Sequence, residues 1–137
     1  MLPKLLLRIA AVLILFHAVA HTFGHSRWKK APGTEKQQVI TAMTSHSFPF
    51  MGANRSMGDF FEGYGYACTL ALLLIAWLLW AIATETGALA KKIVAAISIC
   101  LLFWSAAEFI YFFPFAAIIT LLAALLSISA FFSIKKS

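Results

Sequence analysis

Charged residues are scarce in this chain of 137 residues, and acidic ones are the scarcest, with 5 Asp and Glu against 11 Lys and Arg. Charged residues make up 12% of the sequence, whereas about a quarter of an ordinary soluble domain is charged. This composition excludes a disordered chain, and it excludes a soluble nucleic-acid-binding module, which needs a large basic surface. The formal net charge of +6 comes from short basic groups that stand between long apolar runs, a pattern typical of the loops that flank membrane spans.

Cysteine is almost absent, and neither cysteine stands in a chemically informative pattern. Cys68 and Cys100 both lie inside apolar runs, where a free cysteine behaves as a small hydrophobic residue. Their spacing matches no disulfide framework, zinc site or redox motif. The sequence also lacks a Gly-rich phosphate loop, a Ser-based nucleophile elbow and a nucleotide fingerprint, so no motif requires a cofactor.

Apolar residues make up 62% of the chain and collect in four long stretches, residues 5–23, 66–83, 93–113 and 115–134. Each is close to the length of about 20 residues that a helix needs to cross the hydrocarbon core. Open strands cannot span lipid, so these stretches predict helices. The sequence therefore predicts an all-α integral membrane protein: a single domain over residues 1–137, folded as an up-down-up-down bundle of four transmembrane helices.

The first stretch also fits a second interpretation. Lys4 and Arg8 precede an apolar run, and Ala18-Val19-Ala20 resembles a cleavage site, which together outline a signal peptide. We favour a retained helix, because its polar residues lie at the same depth as polar residues of later spans.

The only long loop, residues 26–55, predicts a short surface helix. Thr34 and Gln37 have the spacing of a capping box, and Val39, Met43 and His46 then recur at helical spacing. The segment Phe48-Pro49-Phe50 ends this helix.

A second capping pattern, Ser56 with Asp59, predicts that the next helix starts near Met57. Between spans three and four, Pro114 is the evident helix stop.

The basic residues give a weak preference for one orientation. With four spans, both termini and the loop between spans two and three share one side, which holds six basic residues against five on the other. The six are Lys4, Arg8, Lys91, Lys92, Lys135 and Lys136, and the five are Arg27, Lys29, Lys30, Lys36 and Arg55. The positive-inside rule places both termini in the cytoplasm.

Several ionisable residues interrupt the apolar spans at a common depth. His17, His21 and His25 recur every four residues, so they share one helix face. His17 lies about 18 Å and His21 about 24 Å along from residue 5, and Glu108 lies about 22 Å along from residue 93. Glu62 and Asp59 open the second span at the level of His25. A lone carboxyl and a histidine are costly inside a membrane and usually face the bundle interior, so Glu108 and His17 are expected to be partners.

Three interpretations of this cluster remain open. In the first, His–Glu hydrogen bonds only hold the bundle together. In the second, His17, His21, Glu108 and Glu62 are catalytic and perform acid–base chemistry on a hydrophobic molecule. In the third, a divalent metal binds the cluster; the ligands that we consider first are His21, His25 and Asp59, and Glu108 or Glu62 could complete such a set.

The second interpretation needs an apolar pocket beside the cluster. Aromatic residues near it and the Gly-rich entry to span two provide candidates, namely Phe16, Trp104, Tyr111, Arg55 and Tyr64. Such a pocket suits a flat or aliphatic ligand. Trp28, Trp77 and Trp80 are interpreted instead as membrane-belt anchors.

Span four carries a stripe of small residues, Ala116, Thr120, Ala123, Ala124, Ser127 and Ala130. Such stripes allow helices to approach closely in lipid. We expect packing inside the bundle, with a homo-oligomer contact as the alternative.

The pattern His17-x3-His21-x3-His25, followed by residues 55–65 (RSMGDFFEGYG), resembles a family of small, uncharacterised bacterial four-helix membrane proteins. In architecture alone the chain is also similar to DoxX-like proteins and to the sterol-isomerase group. The resemblance implies the fold and no particular activity. The leading hypothesis is a membrane protein with an intramembrane His/Glu site that binds, and acts on, a lipid-like small molecule; its other partners are membrane lipids, and no nucleic acid is expected.

Overall fold

The computed structural model describes residues 2–30 and 32–134. Within them lie five α-helices: α1 (Leu2–His25), α2 (Thr34–Ser45), α3 (Met57–Ile82), α4 (Gly87–Tyr111) and α5 (Pro114–Ser133). A 3-10 turn at Trp28–Lys30 follows α1, and a short hairpin of β1 (Ser47–Phe50) and β2 (Ala53–Ser56) precedes α3. The predicted all-α fold is confirmed.

Helices α1, α3, α4 and α5 are each long and apolar enough to cross a membrane. They contain the four predicted apolar stretches almost entirely, but α3 begins nine residues before the predicted apolar run, at Met57, and α4 begins six before, at Gly87. Helical hydrogen bonding continues into the polar flanks because hydropathy marks where the chain is apolar, not where the helix ends. The lysines Lys135 and Lys136, which entered the predicted orientation, lie outside the described residues.

Pro114 separates α4 from α5, but it acts as a helix start. It occupies the first turn of α5, after the extended Phe113, where its fixed φ suits the helix and its missing N–H is not needed. Helices α4 and α5 pack along each other, and the predicted stripe of small residues on α5 is buried. Packing inside the chain is thus confirmed for this stripe, and a contact between copies stays a prediction.

The chain divides into two compact units. One combines Met1–Ala18 with Ala71–Ser137, and the other is Val19–Leu70. The first unit has an aliphatic core contributed by α1, α3 and α4, whose largest fully buried side chains are Leu7, Ile14, Leu72, Leu79, Val94 and Leu101. Whether the whole chain forms one domain stays a prediction.

In the second unit, the predicted capping box at the start of α2 is wrong. Gly33, at φ 102°, is the N-cap residue, and Thr34 is already helical and makes no capping hydrogen bond. The surface helix itself is confirmed; it ends at Ser45, and only Ile40 among its described residues is buried.

The hairpin that follows α2 was missed, since Phe48-Pro49-Phe50 reads only as a helix terminator. Strands β1 and β2 pair antiparallel around Met51 and Gly52, whose φ values of 47° and 85° are those a two-residue I′ turn requires. The second capping pattern is confirmed. The Ser56 N–H donates to Asp59 Oδ2 over 2.8 Å, and the Asp59 N–H donates to Ser56 Oγ over 3.1 Å, so the start of α3 is capped reciprocally.

Candidate functional site

A buried histidine–carboxylate pair lies in the first unit. His17 on α1 and Glu108 on α4 approach to 3.3 Å between Nε2 and Oε1. The two residues are only 6% and 4% exposed, although each belongs to a helix that is mostly apolar. The expectation that Glu108 and His17 are partners is confirmed.

Thr120 on α5 completes the environment of His17, and sequence reasoning treated it only as a small packing residue. Its Oγ1 lies 3.0 Å from His17 Nδ1 and 3.2 Å from the Ala116 carbonyl oxygen, to which the hydroxyl donates. A hydroxyl has one hydrogen, so the Thr120 oxygen accepts from Nδ1–H when its own hydrogen goes to the Ala116 carbonyl, and it donates to Nδ1 in the other tautomer of His17. At 3.3 Å, Nε2 and Oε1 are close enough to form an ion pair when the His17 ring is protonated.

The two oxygens of the Glu108 carboxyl group differ in their hydrogen bonding. Oε2 is fully buried and makes no hydrogen bond with the described residues. Thr120 and Trp104 are the other side chains close enough to interact with this carboxyl group, and Trp104 is half-buried one helical turn before Glu108. Oε2 is therefore a buried oxygen without a hydrogen bond of good geometry, and the Trp104 indole N–H and the Thr120 hydroxyl are the donors near this carboxyl group.

His21 and His25 lie in the second unit, where both bind backbone carbonyls of α3. His21 Nε2 is 3.1 Å from the Gly65 oxygen, and His25 Nε2 is 3.1 Å from the Glu62 oxygen. Because a carbonyl only accepts, Nε2 carries the hydrogen in both rings. The rings stack with centroids 5.7 Å apart and planes 2° from parallel, as expected for neighbours four residues apart on one helix face.

Gly65 permits the close approach of His25 to α3, a role that could not be assigned to this glycine individually from the sequence. A Cβ at this position would lie 2.0 Å from His25 Cε1, so only glycine lets the His25 ring reach α3 in this arrangement. Tyr66 and Phe61 pack their rings against His25 at 5.4 and 5.6 Å between centroids. The repeated glycines of the Gly63-x-Gly65 pattern were the available signal.

The carboxylates at the start of α3 have partners other than the histidines. Glu62 pairs with the Lys29 ammonium, and this hydrogen bond raises the pKa of Lys29. The Asp59 carboxylate accepts from Ser56. Among residues 2–30 and 32–134, no group of three or more His, Cys, Asp or Glu side chains could hold a metal ion. The predicted ligand set of His21, His25 and Asp59 is therefore not assembled.

The predicted pocket residues are mostly at the surface of the chain. Phe16, Tyr64 and Tyr111 are exposed, and the exposed Arg55 guanidinium donates to the neighbouring Asn54 carbonyl oxygen. Of the five, Trp104 is the one that lies beside the buried carboxyl group. A substrate pocket formed by all five stays a prediction.

Comparison with protein-family models, with curated proteins and with solved structures gives no match. The feature of the described chain that points to a function is therefore the His17–Glu108 pair, buried among helices suited to crossing a membrane.

Proposed function

We propose that this chain is a multi-pass membrane protein that binds a hydrophobic, lipid-like small molecule at the His17–Glu108 pair and exchanges a proton with it. One observation carries the proposal: the Glu108 carboxyl is buried beside His17, yet its Oε2 makes no hydrogen bond of good geometry with the described residues. A polar network that served only to hold helices together is expected to satisfy its buried atoms, because a half-satisfied network is less favourable than an apolar core. A carboxyl oxygen without a hydrogen bond, next to an ionisable histidine, is what an acid–base site needs.

The His17–Glu108 pair can transfer protons to and from a bound ligand, and this chemistry needs no reactant besides the ligand. In the imidazolium–carboxylate form, Oε2 accepts a proton from an activated carbon of the ligand. Nε2 of His17 then donates its proton to another carbon of the ligand. The proton on Glu108 passes to Nε2, which restores the imidazolium–carboxylate form. The ligand is isomerised, and atoms and charge balance. A half-buried indole, Trp104, would supply apolar contact for the ligand.

This proposal narrows the predicted catalytic set. His21 binds the Gly65 carbonyl and Glu62 pairs with Lys29, so neither offers a free group comparable to Oε2. The proposed orientation, with both termini in the cytoplasm, is supported by the basic-residue count, and the proposed location in the inner membrane of a bacterium follows from the family resemblance alone.

A structural role is the second candidate, and a specific observation favours it as well. His17, Glu108 and Thr120 come from three different helices, α1, α4 and α5, so their hydrogen bonds join all three. Interhelical hydrogen bonds in membranes contribute about 0.6 kcal/mol on average, and about 1.7 kcal/mol at most.

Deuterium incorporation tests the proposed chemistry without knowledge of the ligand. Purified protein in nanodiscs made from a bacterial total lipid extract is incubated in D₂O, and mass spectrometry measures deuterium at non-exchangeable carbon positions of the lipid-soluble molecules. We expect the wild type to label one class of molecule, and Glu108→Gln and His17→Gln to label none. Absence of labelling by the wild type, or equal labelling by both variants, would contradict acid–base chemistry.

Thermal stability in detergent separates the two candidates. Gln keeps the shape of Glu108 and can still donate to His17, so Glu108→Gln should change the melting temperature little while it abolishes labelling. A large loss of stability in this variant, with no labelling in the wild type, would favour the structural role. Thr120→Val is the control, because it removes the hydrogen bond to Nδ1 and leaves the Glu108 carboxyl intact.

A further inference from the structure

Arg8 is a positively charged residue of the first unit, and it takes no part in the proton transfer proposed for His17 and Glu108. Its guanidinium carbon lies 4.8 Å from the centre of the Trp80 ring. Its Nε is buried without a hydrogen-bond partner, and no described carboxylate pairs with Arg8, since the two ion pairs in the described chain join His17 to Glu108 and Lys29 to Glu62. A guanidinium on an apolar helix is costly unless an anion neutralises it.

An apolar groove of about 320 Å³ begins at the same tryptophan. Helices α1 and α3 form its walls, and its lining residues are Ala11, Val12, Leu15, Leu73, Ala76, Trp77 and Trp80. Ala11 and Leu15 follow Arg8 by three and seven residues, so the groove runs along the helix face below the guanidinium for about 10 Å. The small side chains of Ala11 and Ala76 leave the space that the groove occupies.

We propose that Arg8 and this groove bind one acidic phospholipid, with the phosphate on the guanidinium and an acyl chain between α1 and α3. The charge of Arg8 selects an anion, and phosphate oxygens match the planar donor set of a guanidinium. The groove is lined by apolar side chains and lies between two helices, which suits a hydrocarbon chain. Arg8 is near the start of α1, and Trp80 is two residues from the end of α3, as expected for side chains at the level of lipid headgroups. This site is independent of the His17–Glu108 pair.

Native mass spectrometry of the full chain measures the number of lipids retained. The protein is purified in detergent, mixed with equal amounts of dioleoyl-phosphatidylglycerol and dioleoyl-phosphatidylcholine, and the bound fractions are compared. We expect the wild type to retain one phosphatidylglycerol in preference to phosphatidylcholine by about tenfold, because the choline cation of the zwitterionic headgroup repels the guanidinium and the phosphatidylglycerol headgroup carries no such charge. Equal retention of the two lipids would overturn the proposal.

Arg8→Gln tests the headgroup contact, and Lys4→Gln is its matched control. Both variants remove one positive charge from the start of α1, but Lys4 is exposed and does not contact the groove. Arg8→Gln should reduce phosphatidylglycerol retention to the level of phosphatidylcholine, and Lys4→Gln should bind as the wild type does. Equal losses in the two variants would mean a general charge effect and would overturn the site.

Val12→Trp tests the acyl groove without altering the core. Val12 lines the groove and is 54% exposed, and Leu5, which is 57% exposed on the same helix, does not line it. Val12→Trp should fill the groove and lower retention of phosphatidylglycerol at least fivefold, a loss of about 1 kcal/mol, and Leu5→Trp should not. Undiminished binding in Val12→Trp would remove the groove from the proposal, and this test stands even if Arg8→Gln fails to fold.

Discussion

Replacement of both members of the buried pair by leucine is the sharpest test of how His17 and Glu108 depend on each other. In His17→Leu, neither oxygen of Glu108 has its histidine partner, because Nε2 is the atom that approaches Oε1 to 3.3 Å. In Glu108→Leu, Nε2 of His17 is left in the same buried place. Each single variant therefore loses the contact between Nε2 and Oε1 and leaves a buried polar atom of the remaining residue without it.

The double variant leaves no such atom behind. Thr120 keeps its hydrogen bond to the Ala116 carbonyl oxygen, and two leucines pack against each other in the space of the pair. Because helices that come apart in a membrane find other partners, we take the upper limit for interhelical bonds, about 1.7 kcal/mol, as the expected coupling. The losses of the two single variants should therefore exceed that of the double variant by this amount.

Equilibrium unfolding of the four proteins in mixed micelles of dodecylmaltoside and SDS measures the coupling. The exposed pair of Lys29 and Glu62, replaced in the same way, is the control, and salt should weaken its smaller coupling. Additivity of the His17 and Glu108 losses within about 0.5 kcal/mol would refute the argument, because residues that do not interact behave in that way.

Three further predictions concern the second unit. Gly65→Ala should destabilise the second unit by about 1–3 kcal/mol, because the new Cβ would lie 2.0 Å from the His25 ring. Gly63→Ala is the control and should be neutral or stabilising, because there is open space around its Cβ. Equal losses of stability in thermal unfolding would contradict the role of Gly65. Ser56→Ala should cost about 1 kcal/mol through loss of the α3 cap, and an unchanged unfolding midpoint would count against it. The hydrogen bond to Glu62 raises the pKa of Lys29 above its ordinary value of 10.5. This bond therefore stabilises the fold fully below pH 10.5, and its contribution falls as the pH rises through the folded pKa. Unfolding followed from pH 9 to 12 should show this alkaline loss of stability in the wild type and not in Lys29→Met.

Hydropathy was sufficient to place the membrane-type helices, since length and apolar content are properties of a continuous segment. The start of α3 at Met57 also followed from local chemistry, because Ser56 and Asp59 cap a helix wherever they stand three residues apart. The same reasoning failed at Thr34, where a glycine at positive φ took the capping position, and at the hairpin, whose turn at Met51 and Gly52 carries none of the usual Asn-Gly or Asp-Gly signals.

The histidine–carboxylate pair was predictable in part. The depth of Glu108 and His17 along their helices could be calculated from the rise per residue, and their burial cost required a partner. Thr120 could not be recognised in this way, because a threonine on an apolar helix hydrogen-bonds to its own backbone as readily as to another helix. The partners of His21 and His25 were equally hidden, since a backbone carbonyl has no sequence signature.

By itself, the sequence determined that this chain forms four helices suited to a membrane and that a carboxyl and an imidazole must meet inside them, because apolar length and the cost of buried charge are local quantities. Only the tertiary structure decided which nitrogen of His17 faces Glu108, which oxygen of Glu108 is left unpaired and which carbonyls hold His21 and His25. Those outcomes depend on how helices rotate and pack against one another, and that packing is set by many side chains together.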